Sequence, residues 1–70
     1  MYLLDAKEGK EYIVKAVLTG DEELNAFLFS LGCYEGQPIT VISRRKSGLT
    51  VSVKDSRYSI DKPLAKAIHV

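Results

Sequence analysis

The stretch Leu49-Thr50-Val51-Ser52-Val53-Lys54-Asp55-Ser56-Arg57-Tyr58-Ser59-Ile60 decides the fold class. Leu49, Val51 and Val53 alternate with Thr50, Ser52 and Lys54. Successive side chains of a strand point to opposite faces, so this pattern sends one face into a core and the other into water. Lys54-Asp55-Ser56-Arg57 is a polar turn, and Tyr58 and Ile60 resume the period of two beyond it. Upstream, Ile39 and Val41 alternate with Pro38 and Thr40, and Arg44-Arg45-Lys46-Ser47-Gly48 reads as the turn into Leu49. Downstream, Pro63 opens a single helical turn through Lys66. Ala67-Ile68-His69-Val70 is a final strand, with Ile68 and Val70 inward.

The N-terminal half carries a different signal. Lys7-Glu8-Gly9-Lys10 is a turn, and Glu11 to Leu18 is rich in β-branched and aromatic residues. Tyr12, Val14, Ala16 and Leu18 line its core face, while Lys15 interrupts the other. Thr19 with Glu22 fits a capping box, Asp21 is an alternative cap, and the acids at 21–23 suit the positive end of a helix dipole. Leu24, Phe27, Leu28 and Leu31 recur at spacings of three and four, which predicts an amphipathic helix ending at Leu31. Gly32 follows as the residue able to close it with a positive φ. The order is strand, helix, three strands, short helical turn, strand. An open sheet this small leaves two bare edges, and closure removes them. The expectation is a mainly β protein, a small barrel of about five strands with one helix inserted after the first.

Composition bounds the rest. Seventy residues make one domain, 1–70, with a radius of gyration of about 11 Å. The apolar fraction of 46% is that of a globular chain. Net charge is +1, which supplies no strong basic footprint for nucleic acid. The halves differ: residues 1–35 carry net −4 and residues 36–70 net +5. Cys33 is the single cysteine, so no internal disulfide forms, and a small domain without one fits a reducing compartment. No apolar run approaches the ~20 residues that span a bilayer. These features predict a cytoplasmic chain without membrane insertion.

Two ordered fragments resemble the ferrous iron transport protein A (FeoA) family. One is Leu28-x-x-Leu31-Gly32-x-x-x-Gly36-x-x-Ile39-x-Val41. The other is Val51-x-Val53-x-x-x-x-Tyr58-x-Ile60-x-x-x-Leu64-Ala65-x-x-Ile68-x-Val70. With the Gly9 turn and the first strand, the resemblance spans almost the whole chain. It implies an SH3-like β-barrel with a helical insertion. It also implies a non-enzymatic accessory protein of bacterial Fe(II) uptake whose partner is a membrane permease with a cytosolic GTPase domain. The same domain type ends iron-dependent repressors, and a chain starting at Met1 favours the stand-alone form. Glu35 stands where many members carry Pro, and Cys33 where many carry an apolar residue. Gly32 and Gly36, the structural glycines of the tight turn, are retained.

No catalytic motif is present: there is no HExxH, no GxSxG and no phosphate loop ending in Gly-Lys-Ser/Thr. No metal set assembles either, because Cys33 and His69 are the only nitrogen or sulfur candidates and His69 is expected to face solvent. Neither a cofactor nor a resident metal is expected. The candidate partner-binding residues are Phe29, Tyr34, Glu35, Arg44, Arg45 and Lys46. Phe29 falls about 100° off Leu28 on the helix, where a bare aromatic calls for a cover such as a partner or a second copy. Tyr34 and Glu35 lie in the turn after the helix. Arg44 and Arg45 offer planar, bidentate donors to an acidic surface or to the nucleotide phosphate of a partner GTPase. Two other functions compete with docking: direct binding or sensing of Fe2+, and a nucleic-acid-binding small barrel, which would need a basic face with stacking aromatics.

Overall fold

The computed structural model describes residues 1–70. A 3-10 turn, Leu3–Asp5, precedes β1 (Glu11–Ile13), β2 (Ala16–Val17), α1 (Glu22–Leu31), β3 (Pro38–Arg45), β4 (Gly48–Val53), β5 (Ser56–Asp61), α2 (Lys62–Ala67) and β6 (Ile68–His69). The radius of gyration is 10.5 Å, close to the expected value. No helix is long and apolar enough to cross a membrane.

Two antiparallel sheets form the barrel, one ordered β1-β3-β4-β5 and the other β2-β6. Val41 faces Val51, which faces Tyr58, and Leu49 faces Ile60. The alternation seen in the sequence thus becomes one apolar inner face: Ile39, Val41, Leu49, Val51, Val53 and Ile60 are all buried. Fully burying each such side chain contributes about 1.5–3 kcal/mol. Ile68 and Val70 are buried as expected. Leu3 and Ala6 join this core from the N-terminal 3-10 turn, an element that carries no periodic signal.

The strand expected over Glu11–Leu18 is divided, because its hydrogen-bond partner changes midway. Val14 N–H donates to the Gln37 carbonyl at 3.0 Å, and the Val14 carbonyl accepts from Gly36 N–H at 2.8 Å. One residue later, Lys15 N–H donates to the His69 carbonyl at 2.7 Å. Val14 is therefore the corner at which one sheet hands over to the other. The chain ends close the structure, since Val70 N–H donates to the Met1 carbonyl at 2.8 Å.

Four local expectations are corrected. The first concerns α1. Asp21, and not the Thr19–Glu22 capping box, caps its start, accepting from Glu23 N–H at 2.8 Å and Leu24 N–H at 3.3 Å. Cys33 N–H reaches back to the Leu28 carbonyl at 2.9 Å, and Gly32 sits at φ 98°, the Schellman ending. Of the expected apolar stripe, however, only Leu28 is buried and Leu31 half-buried, whereas Leu24 and Phe27 are exposed. Periodicity aligns side chains on one face, but the barrel covers only the last turns of this helix. The second is Leu18, expected inward, which lies beyond the sheet corner and is 66% exposed. The third is the 44–48 turn: Arg44 and Arg45 extend β3, because a bulge between Val41 and Ser43 carries the pairing on to Arg45 opposite Gly48. The fourth is His69, which is half-buried in β6 with its ring edge-on to Tyr2, centroids 4.6 Å apart.

Candidate partner-docking site

The end of α1 and the β4–β5 hairpin meet at Gly32. A Cβ at this position would lie 2.9 Å from Val53 Cγ1 and 3.3 Å from Lys54 Cδ. Only a glycine lets the helix end this close to the hairpin, and its positive φ turns the chain toward Tyr34. Lys54 and Asp55 form the two-residue hairpin turn between the paired Val53 and Ser56, with φ 49° and 66°. Two consecutive positive φ values describe a type I′ turn, a conformation that favours Asn-Gly. Holding a lysine there costs free energy, and it places Lys54 beside the helix end.

That lysine has a partner. Its Nζ lies 4.8 Å from the centroid of the Tyr34 ring, within cation–π range. Tyr34 in turn packs against Phe29, with ring centroids 5.0 Å apart and planes tilted by 37°. Phe29 remains 63% exposed. These residues border a shallow groove completed by Leu31, Gly32 and Tyr58. A second groove on the other side of Phe29 and Tyr34 runs past Cys33 and Glu35 to Val17 and Leu18. Phe29 and Tyr34 thus form a ridge between two apolar grooves, which suits an extended or helical segment of another protein.

Phe29, Tyr34 and Glu35 border the same groove. Lys54 and Tyr58 belong to the same patch. In the sequence Lys54 lies in a polar turn and Tyr58 on an alternating strand, and no signal links either to residue 34. Arg44, Arg45 and Lys46 do not join this patch. The turn at Lys46 lies at one end of β4 and Lys54 at the other, about 17 Å away along the strand. The Arg44 guanidinium donates to the Ala6 carbonyl at 2.6 Å, which ties β3 to the N-terminal turn. Arg45 lies on the outer sheet face, donating to Thr50 Oγ1 at 2.6 Å and Ser59 Oγ at 2.9 Å. Lys46 is exposed.

The remaining chemistry is sparse. Cys33 is buried at the base of the second groove, and loss of solvation pushes its thiol pKa up, so the thiol is protonated and unreactive at neutral pH. No three His, Cys, Asp or Glu side chains come together in an arrangement that could hold a metal ion.

The family model of the FeoA domain matches residues 1–70. The chain belongs to the FeoA family. Several solved structures share its fold. The crystal structure of an iron uptake regulatory protein, FeoA, is 29% identical with a TM-score of 0.88, covering 97% of this chain and 91% of that one. FeoA of Stenotrophomonas maltophilia, solved as a zinc complex, is 20% identical with a TM-score of 0.88, covering 100% of this chain and 88% of that one. That protein was described as a prokaryotic SH3 domain protein and put forward as a bacterial ferrous iron transport activating factor. A manganese-dependent transcriptional repressor matches at 21% identity and a TM-score of 0.87, with this chain spanning 97% of its own length and 39% of the repressor. No curated protein matches the chain. The architecture of this FeoA-family chain is the SH3-like barrel, mainly β, with α1 as the inserted helix.

Proposed function

We propose that this FeoA-family chain is a non-enzymatic accessory protein of ferrous iron uptake. In this reading it works in the cytoplasm and docks on the cytosolic, GTPase-containing part of the ferrous iron permease. Family membership supports the pathway, as does the role put forward for the Stenotrophomonas relative. The observation that carries the docking is the Phe29–Tyr34 ridge. Phe29, 63% exposed and packed against a tyrosine whose ring also lies under the Lys54 ammonium, is an aromatic contact already assembled before binding. Aromatic residues concentrate in interface cores, and fixing them before binding lowers the ordering cost of association. Glu35 borders the ridge, while Lys46, with Arg44 and Arg45, offers a separate contact at the far end of β4.

The test is an NMR titration of the labelled chain with the purified cytosolic domain of the permease. Amide shifts confined to Phe29–Glu35 and Lys54–Tyr58 are expected, and Phe29→Ser should weaken binding about tenfold or more, a loss of about 1.4 kcal/mol. No shifts at about 1 mM of both proteins, where even a Kd of that size is visible, would overturn the docking. Titration with Fe(II) alone then decides whether the chain acts on the metal instead.

A further inference from the structure

The main sheet has two edges, and they are unlike. At one edge β1 is three residues long. At the other β5 runs six residues, Ser56–Asp61, and pairs only with β4, in one unbroken register. Sheet edges are commonly blunted by brevity, lysine, proline or a bulge. Between Ser56 and Asp61 β5 carries none of these. Val53 and Ser56 flank the two-residue turn as a hydrogen-bonded pair, and bonded and non-bonded pairs alternate along the ladder from there. Arg57, Ser59 and Asp61 therefore turn their N–H groups away from β4. None of the three donates to a backbone carbonyl outside that ladder, and all three residues are exposed. Beyond Asp61 the chain turns inward, burying Ala65 and Ala67 of α2, so the helix does not run along this edge.

We propose that the β5 edge pairs with the β5 edge of a second copy, extending the sheet across a twofold axis. The charges on the strand single out this occupant. Arg57 and Asp61 share the outer face with Ser59 and lie two residues to either side of it. An antiparallel copy related by an axis through Ser59 sets each Arg57 opposite the Asp61 of the other copy, so the pair occurs twice. No other antiparallel register of two β5 strands does this. Opposite charges directly across a strand pair stabilise it, and the two Ser59 residues exchange backbone hydrogen bonds at the axis. Asp61 gives one oxygen, Oδ1, to the Leu64 amide at 3.0 Å, which leaves the other for the arginine. Arg45 shares this face but is engaged by Thr50 Oγ1 and Ser59 Oγ. The edge meets the permease-docking patch at Tyr58, which lines the groove beside Phe29. The dimer is tested on the chain alone, so its outcome is separate from that of permease docking.

The test is sedimentation equilibrium of the full chain from micromolar concentrations to about 1 mM, with amide exchange against water followed by NMR over the same range. The expected result is a monomer–dimer equilibrium in which the Arg57, Ser59 and Asp61 amides exchange more slowly as concentration rises. Ser59→Pro removes the N–H at the axis, and proline is tolerated on an edge strand where that N–H faces away from the ladder. It should leave a folded monomer, with folding checked by circular dichroism. Arg57→Glu sets like charges opposite each other and should weaken the dimer about tenfold or more, whereas Arg57→Lys should retain most of it. If Ser59→Pro fails to fold, Arg57→Glu and the exchange pattern decide. A wild-type chain that stays monomeric at about 1 mM overturns the proposal. So does a dimer indifferent to Arg57→Glu, or one whose concentration-dependent protection falls outside β5.

Discussion

Gly48 shows how much one missing atom governs. A Cβ there would collide with the Ile60 carbonyl oxygen and come within 2.9 Å of Asp61 Cα. Those atoms are backbone in the paired strand β5 and cannot step aside without breaking the ladder. Gly48→Ala should therefore cost at least about 2 kcal/mol, read as a lower urea midpoint with an unchanged slope. Phe29 is the opposite case. Its ring is mostly in water, so Phe29→Ser should change stability by less than about 1 kcal/mol while weakening partner binding. A loss of about 3 kcal/mol or more, typical of a core phenylalanine, would move the residue into the core. Cys33 makes a prediction in pH. Burial raises its folded pKa above the unfolded value of about 8.5. The folded state thus holds the thiol proton more tightly than the unfolded chain does. Its contribution is undiminished below that pH and is lost as pH rises from there toward the folded pKa. Urea titrations at rising pH should show this alkaline decline, and Cys33→Ala should flatten it.

At the scale of elements, α1 and the β4–β5 hairpin each sacrifice something local. The helix leaves Leu24, Phe27 and Phe29 exposed and anchors mainly through Leu28 and Leu31. Its apolar residues exceed what its own barrel covers, and Phe29 among them stands on the face proposed for a partner. The hairpin holds Lys54 and Asp55 at positive φ, where Asn-Gly would sit at lower cost. Asp55→Gly should therefore stabilise the chain by up to about 1 kcal/mol, measured by chemical denaturation. Lys54→Asn should relieve strain in the same way but remove the cation over Tyr34. The combination expected for Lys54→Asn is equal or higher stability with weaker permease binding. Lower stability with unaltered binding would make Lys54 a packing residue only.

At the scale of the whole molecule, closure depends on the last few residues. Lys15 and Leu18 N–H groups donate to the His69 and Ala67 carbonyls at 2.7 and 2.8 Å, and Val70 returns to Met1. Ile68 is fully buried where the two sheets meet. Ile68→Ala should cost about 2–5 kcal/mol, a large share of the stability of a domain this small. Thermal and urea unfolding should register that loss together, as one cooperative transition.

The sequence by itself determined the alternating cores of β3, β4 and β5, Asp21 as one of two candidate caps of α1, the glycine that ends it and the family. Each of these rests on near neighbours: alternation along Leu49–Val53, a side-chain oxygen at Asp21 two residues from the amide it caps, a positive φ at Gly32. That Phe29, Tyr34 and Glu35 border one groove follows in the same way, since they lie within seven positions of one another. Tertiary structure alone decided where β1 ends and β2 begins, because that depends on Gln37 and His69 competing as partners along the 14–15 backbone. It alone brought Lys54 to Tyr34 across the helix–hairpin junction, and it alone turned Arg44 back onto Ala6. It also decided which apolar residues of α1 are buried. Spacing specifies a common face of a helix, but what covers that face is set by contacts distant in sequence.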